Sequence, residues 1–481
     1  MLIKMEQFAP DADFTVPGTI IDLDGMVPTV KGYKAAPTAV DAGSAALASE
    51  CFGAAVLRKL DNTTRVIAGT ATKLYELSSG AWSDVSGAAY NAAADVRWSF
   101  AQFGNVSLAS TKGDKIQQSS SGAFAAISAA PKAGTIETVN QFVFAGNTND
   151  TGFGDSPDRW WCCAEGDYTD WTPNTNTLCV SGRLTSAPGR INLLKRLGDG
   201  IVAYKDRSMF IGSFVGAPEA WSFQEIPGQV GCPSPQGVVD IGAAHLFVGN
   251  DGNFWMFDGS RPTPIGTPIK EWFYSNLYSE YAYRIQSVHD RANALVYFFY
   301  PSTSGGGTLD SCVVYNYRIN KWGVSDRTIE AAIDYVSGGI TYTSTYATTT
   351  TFSAASSVSF ESQFLTNGQP VPSYIDTSHA IQFINGVGGS WSLTTNDFGD
   401  DAQVTTITQV RPRFLTAPST STLVNYYRMT MGDSLTTDAT TTLGSGRYDF
   451  IRAARWHRFV VSGTGGEISG LNVIAEVSGS E

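Results

Sequence analysis

CVVYNYRINKWGV, residues 312–324, reads as two strands folded back on each other: an apolar run rich in β-branched and aromatic residues, a polar turn, and a tryptophan opening the return strand. The same grammar recurs in KLYELSSGAWSDV (73–85) around Trp82 and in RSMFIGSFVGAPEAWSFQEI (207–226) around Trp221. Weaker copies fill the gaps. Phe124 takes the bulky position in KIQQSSSGAFAAI (115–127), Trp171 takes it in the GDYTDWTPN turn (166–174), and Pro262 to Pro264 take it in FWMFDGSRPTPIG (254–266). With Thr263 as the fifth mark, the marks lie roughly 42, 47, 50, 42 and 59 residues apart, close to the 40 to 50 residues of one four-stranded propeller blade. Six marks predict an all-β fold containing a β-propeller of about six blades. The competing reading is chance recurrence of Trp and Gly turns in a large β protein, and the regular spacing counts against it.

The segments between the marks agree. QFVFAG (141–146), HLFVGN (245–250) and ALVYFFYP (294–301) are nearly continuous apolar runs, as buried strands require. One helix is expected, over PIKEWFYSNLYSEYAY (268–283), where a proline precedes Ile269, Trp272, Phe273 and Leu277 at helical spacing.

The 481 residues are ample for two to four domains, and 49 glycines, 12% aromatics and only 16% charged residues suit strands and tight turns. Beyond Asp326 the composition shifts to Thr and Ser, most strongly in TYTSTYATTTTFSAASSVSF (341–360). The resulting division is a propeller over 1–330, a Thr/Ser-rich β insertion or tip region over 331–404, and C-terminal strands over 405–481. The last part contains TTITQVRPRFL, LVNYYRMTM, ARWHRFVVSG and LNVIAEVSG, which alternate as a β-sandwich or jelly roll does.

A net charge of −12 without any basic run argues against a nucleic-acid binder of the usual kind, which needs clustered Lys and Arg to neutralise phosphates. Cys51, Cys162, Cys163, Cys179, Cys232 and Cys312 show no metal-ligand or disulfide spacing and read as reduced thiols. The adjacent Cys162 and Cys163 should point to opposite faces of one strand, with at least one of them buried. His245, His289, His379 and His457 are isolated and read as structural. No nucleophile elbow, phosphate loop or dinucleotide fingerprint is present.

A propeller glycosidase would need paired carboxylates. Asp155, Asp158, Asp167, Asp170, Asp251 and Asp258 are available, but all lie in turns, where Asp serves the local backbone. NDGNFWMFDG (250–259) imitates a calcium loop but lacks its distal Glu, and reads as a hairpin. No catalytic, cofactor-binding or metal-binding residue is assigned, and no cofactor. Neither an export signal nor an apolar span appears, so the chain is expected in a reducing cytoplasm without membrane insertion.

Several stretches together resemble the tail nozzle (packaged-DNA stabilisation) proteins of short-tailed bacteriophages of the P22-like class. They are DLDGMVPTVKGYKAAP (22–37), SPDRWWCCAEGDYTDWTP (156–173), INLLKRLGDGIVAYKDRSMFIGSF (191–214) and, most strongly, residues 230–277. The resemblance continues through HDRANALVYFFYP, VVYNYRINKW and the C-terminal strands 452–479. Each piece is a hairpin signature; their order and separation carry the likeness. The Thr/Ser-rich stretch 340–401 departs from it. The resemblance implies a structural virion protein: a homo-hexameric ring in the tail, below the portal and adaptor proteins and beside tail fibres, tailspikes or needle proteins. Genomic DNA would be retained by it and pass through its lumen at ejection without sequence-specific binding. Two other readings stay open, a tail protein binding a host-surface receptor or glycan, and the glycosidase.

Overall fold

The computed structural model describes residues 1–13, 16–92, 96–336 and 370–480. It is an all-β molecule whose larger part is a β-propeller. Six sheets stand alone as four-stranded antiparallel blades, and with the unit described next the ring has seven sectors, close to the expected count of about six. Five follow one another in sequence: Ala54–Arg58 through Ala81–Asp84, Ser99–Phe103 through Ala125–Ala126, Lys132–Val139 through Val180–Arg183, Leu193–Leu197 through Ala220–Ile226, and Val238–Asp240 through Thr263–Pro264. We number these blades one to five.

A further four-strand unit, Gln286–Asp290 to Lys321–Val324, occupies the sixth sector but continues into a ten-stranded sheet. The last sector combines Ala331–Val336, Pro370–Ile375 and Ile381–Gly388 with Pro37–Asp41, a strand from the beginning of the chain. The ring is therefore closed by pairing distant parts of the sequence. Gln382 lies opposite Asp41, Phe383 opposite Val40, and Ile384 opposite Ala39.

The sequence marks fall on one structural feature. Those at Trp82, Phe124, Trp221, Thr263 and Trp322 lie in the hairpins that join the two outer strands of successive blades, and Trp171 lies in the longer connection at the same place in blade three. No such mark can exist in the last sector, because its two outer strands are not consecutive. The expected boundary at residue 330 is corrected for the same reason. Residues 331–336 and 370–388 belong to the propeller, not to an insertion, and the Thr/Ser-rich stretch 341–360 lies outside the described residues.

Both faces of each blade pack on a neighbour, so successive sheets share apolar clusters. Cys162 and Cys163 show the rule: Cys162 joins the cluster of Phe144, Trp160 and Trp221 between blades three and four, while Cys163 joins that of Leu108, Ile136 and Trp161 between blades two and three. Both thiols are buried, as the alternation of a strand demands, and all six cysteines are free.

The second domain is a sandwich built from both ends of the chain, which corrects the placement of residues 1–28 in the propeller. Its first sheet continues the sixth blade through Met26–Pro28, Tyr33–Ala35, Glu467–Ser480, Gln403–Thr416 and Tyr448–Ala454. Its second sheet contains Thr19–Asp24, Ser390–Thr395, Trp456–Thr464 and Thr420–Arg428. Leu23, Leu393, Phe459 and Val461 of the second sheet meet Ile407, Val410, Leu471 and Val473 of the first. The same core includes Phe254, Phe298 and Trp322 of the propeller, so the two domains share one apolar interior. The second sheet is tied by a buried ion triad in which Asp397, its side chain 1% exposed, accepts from Arg428 and from Arg458 Nε at 2.7 Å.

The expected helix is shorter than its apolar spacing suggests. An α-helix covers Lys270–Asn276, and a 3-10 segment covers Ser279–Arg284. Leu277 between them is extended and buried, and the backbone N–H of Tyr278 donates to the Pro301 carbonyl. Pairing with the edge of the sixth blade outcompetes another helical turn.

Trp221 tests the blade packing. It is 4% exposed and sits edge-on to Phe144 at 4.8 Å, while its indole N–H has no hydrogen-bond partner among the described residues. Trp221→Ala should cost about 3 to 5 kcal/mol in chemical denaturation through the cavity it leaves. Trp221→Phe should cost much less, because no polar contact is lost. Equal losses in the two variants would contradict this packing.

Candidate functional site

The inner strands of all seven sectors converge on an axial pocket of about 200 Å³. Ala54 and Ala55 come from blade one, Ser99 from blade two, Glu137 from three, Lys195 from four, Val238 from five, Gln286 and Ser287 from the sixth sector and Ala332 from the seventh. The inner strands run three to eight residues and mix apolar with polar positions, and several of the polar groups bridge to the next blade. Ser99 Oγ accepts from Ile136 N–H at 3.0 Å, and Thr135 Oγ1 accepts from Leu194 N–H at 3.2 Å. Ser287 N–H donates to the Gln236 carbonyl at 3.1 Å. Gln286 Nε2 donates to the Glu330 carbonyl at 3.0 Å, and its Oε1 accepts from Ala332 N–H at 2.7 Å. Gln236 Nε2 reaches the Trp98 carbonyl of blade two at 3.2 Å, a link from the fifth sector back to the second.

The electrostatics of the axis are mixed. Burial raises the Glu137 carboxyl above its ordinary range, against the pull of Lys195. Burial likewise lifts Asp334, on the inner strand of the last sector, to about 6, opposed by Arg291 and Lys195. Opposite charges thus face one another around a space that holds a few water-sized molecules. A DNA duplex, whose major groove alone is about 12 Å wide, has no room there.

The carboxylates considered for glycosidase chemistry are dispersed over blades three and five, and each has a local partner. Asp155 pairs with Lys112 at 2.8 Å and Asp158 with Arg183 at 2.9 Å. Asp167 accepts from the backbone and hydroxyl of Thr169, and Asp258 from those of Ser260, which hold both carboxyls below their usual range. Asp170 accepts from Thr172 N–H at 2.9 Å, and Asp251 from Asn253 N–H and Trp255 Nε1 at 3.1 Å. Residues 250–253 form the turn between two strands of blade five, with Gly252 at φ +71°, so the calcium-like segment is the expected hairpin.

The histidines have structural partners. His245 is fully buried; its Nε2 faces the Arg196 carbonyl at 2.8 Å and its Nδ1 faces the Tyr204 hydroxyl at 2.8 Å, which defines a neutral ring with the proton on Nε2. His289 faces the Tyr317 hydroxyl at 3.1 Å, His379 faces Glu330 at 2.7 Å, and His457 lies between Asn425 and the Thr405 carbonyl. Among the described residues no group of three or more His, Cys, Asp or Glu is placed to hold a metal ion, and no helix is long and apolar enough to cross a membrane. The axial residues Glu137, Lys195, Gln236 and Gln286 are absent from the sequence reading. Their only signal is a charged side chain inside a short strand-like segment, as in TIETV and LLKRL.

No protein family and no curated protein matches the chain. Solved structures align over much of it with low similarity. A chain of the mitotic checkpoint complex covers 75% of this chain and 96% of its own length, at 8% identity and a TM-score of 0.41. YCF48 bound to a D1 peptide covers 62% and 86%, at 11% identity and a TM-score of 0.35. The computationally designed Ika8 protein covers 71% and 98%, at 8% identity and a TM-score of 0.35. Likeness at this level carries no functional argument, and the fold assignment rests on the sheet topology of the chain itself.

Two expectations follow. Gln286→Leu leaves the Ala332 N–H and the Glu330 carbonyl unpaired in a buried place, and should lower stability by about 2 kcal/mol or more in urea titration. Burial holds His245 at about 4 against 6.5 in the open chain, so the unfolded state binds the extra proton between those values. Stability should therefore fall as pH drops from about 6.5 to about 4, by up to about 3 kcal/mol from this residue. His245→Gln should remove that part of the slope. Asp326 and Asp334, both raised to about 6, act in the opposite sense, so the wild-type minus variant difference is the quantity to measure.

Proposed function

We propose that this chain is a structural subunit of a short-tailed phage tail nozzle, assembled as a ring that retains packaged DNA and passes it at ejection. The observation that carries most weight beside the sequence resemblance is the sheet shared between the domains. Strands run from the propeller axis at Gln286–Asp290, through Lys321–Val324 and Met26–Pro28, into the sandwich at Glu467–Ser480. A subunit that bears the pressure of a packaged genome needs such rigidity more than it needs a moving site.

The size of the axial pocket refines the reading. The conduit would not be the propeller's own channel, which narrows to about 200 Å³ and is crossed by Gln236 reaching Trp98, so DNA would pass through a lumen enclosed between copies. A net charge of −12 favours passage over adhesion on such a wall. Portal and adaptor proteins above, and fibre, spike or needle proteins around and below, are the contacts this place in a tail would require.

Electron microscopy of the purified protein, with mass analysis by sedimentation, tests the reading. Closed rings with a central opening wide enough for duplex DNA, and detection of the chain in tails of purified virions, are the expected results. A monomer at every concentration, absent from virions, would sink the proposal.

A further inference from the structure

The strands Gln403–Thr416 and Glu467–Ser480 are each 14 residues long, well beyond the typical strand. They outrun the rest of their sheet. Leu2–Lys4 and Tyr33–Ala35 cover the outer edge of Glu467–Ser480 only at positions 467–472, and the Val473 N–H donates to the Met1 carbonyl. From 474 onward, among the described residues, nothing pairs with that edge. On the other side Tyr448–Ala454 is the last strand of the sheet, and its outer edge is likewise unpaired among the described residues. The result is a three-stranded arm with an open row of backbone donors and acceptors on each flank.

Natural proteins blunt such edges with Lys, Pro or bulges that turn the edge away. This arm has a bulge on each flank, at Ser478 and at 450–451, but its 474–480 edge lacks the other two devices. The 474–480 flank reads IAEVSGS, without Lys or Pro, and presents Ile474 at 39% and Val477 at 62% exposure. The opposite flank presents Ile451 at 78% exposure. The flanks also differ in charge: residues 447–455 contain three arginines, of which Arg447 pairs with Asp449 and Arg452 with Asp438, whereas residues 474–480 contain Glu476 and no base.

We infer that the two flanks are the two halves of one subunit junction, the 474–480 edge of one copy pairing with the 448–454 edge of the next. The occupant follows from the arm itself, since one sheet offers two open edges on opposite sides at the same level, Ala453 and Glu476 both lying opposite Thr406, with an acid and no base on one edge and an excess of arginine on the other. Gln403–Thr416 is antiparallel to both outer strands, so these run in the same direction. A neighbour related by rotation about an axis along the strands then adds its strand in parallel, and the contact repeats head-to-tail until the ring closes. The inference rests on the proposed ring and names the surface that builds it.

Val477→Lys and Ile451→Lys each place a charge on an open edge at a largely exposed position, so the fold should tolerate them. Sedimentation of either variant should show self-association weakened by about tenfold or more, with unchanged thermal unfolding. Because the six native thiols are all buried, cross-linking gives an independent measure. Ala453→Cys mixed with Glu476→Cys, two exposed positions that both lie opposite Thr406 and so are level with each other across the junction, should form a disulfide between copies under mild oxidation, while neither variant alone should. A wild-type protein that never assembles removes the ring reading and this junction together. Wild-type rings that form equally well with both Lys variants, or cross-links in each single Cys variant but none in the mixture, overturn the junction alone.

Discussion

The pairing of Pro37–Asp41 with Ile381–Gly388 is the interaction on which the rest of the molecule depends. A radial sheet is apolar on both faces, so a ring of them is stable only when no sheet is left without a neighbour. Opening the ring would bare Leu47, Cys51 and Ala68 on one side of the gap and Ala331, Ile375 and Ile381 on the other. The same closure assembles the sandwich. The chain leaves the closing strand on one side toward residues 1–28 and leaves its partner on the other toward residues 390–480, and both segments enter the same two sheets. One long-range pairing thereby brings together the halves of a domain separated by more than three hundred residues of sequence.

The propeller was legible because its information is local. A hairpin between consecutive outer strands leaves a turn followed by a bulky residue, and Trp82, Phe124, Trp171, Trp221 and Trp322 mark five such places, each packed into or against a core. The alternation that sends Cys162 and Cys163 into different interblade clusters is also local, and it too was readable. The closure was not. Nothing in PTAVD at 37–41 announces a partner near residue 384, and the N-terminal strands of the sandwich are two to six residues long, too short to show a period. The helix erred in the other direction, because its apolar spacing ran on past Leu277 while the chain itself turned to the neighbouring strand.

Polar residues follow the same economy. Turn carboxylates satisfy nearby amides and hydroxyls, and the glutamines that line the axial pocket also bridge blades. His245, Asp397 and Asp438 are held by partners on neighbouring strands, with Arg452 Nε donating to Asp438 at 2.9 Å. These side chains are thus committed to local geometry. The glycines serve the same end at close approaches: a Cβ at Gly69 would overlap the buried Trp98 ring, so the second strand of blade one can lie flush against blade two only as glycine.

The non-local closure also sets a schedule for biosynthesis. At roughly 5 to 20 residues per second, the strand at 37–41 leaves the ribosome on the order of tens of seconds before its partner exists. For that interval the nascent chain carries an orphan edge strand beside other β-rich segments. PTAVD is guarded for the wait, with a proline that cannot donate at one end and an aspartate at the other. The residues that bound this strand are of the kinds that discourage early pairing while residues 381–388 are still unmade.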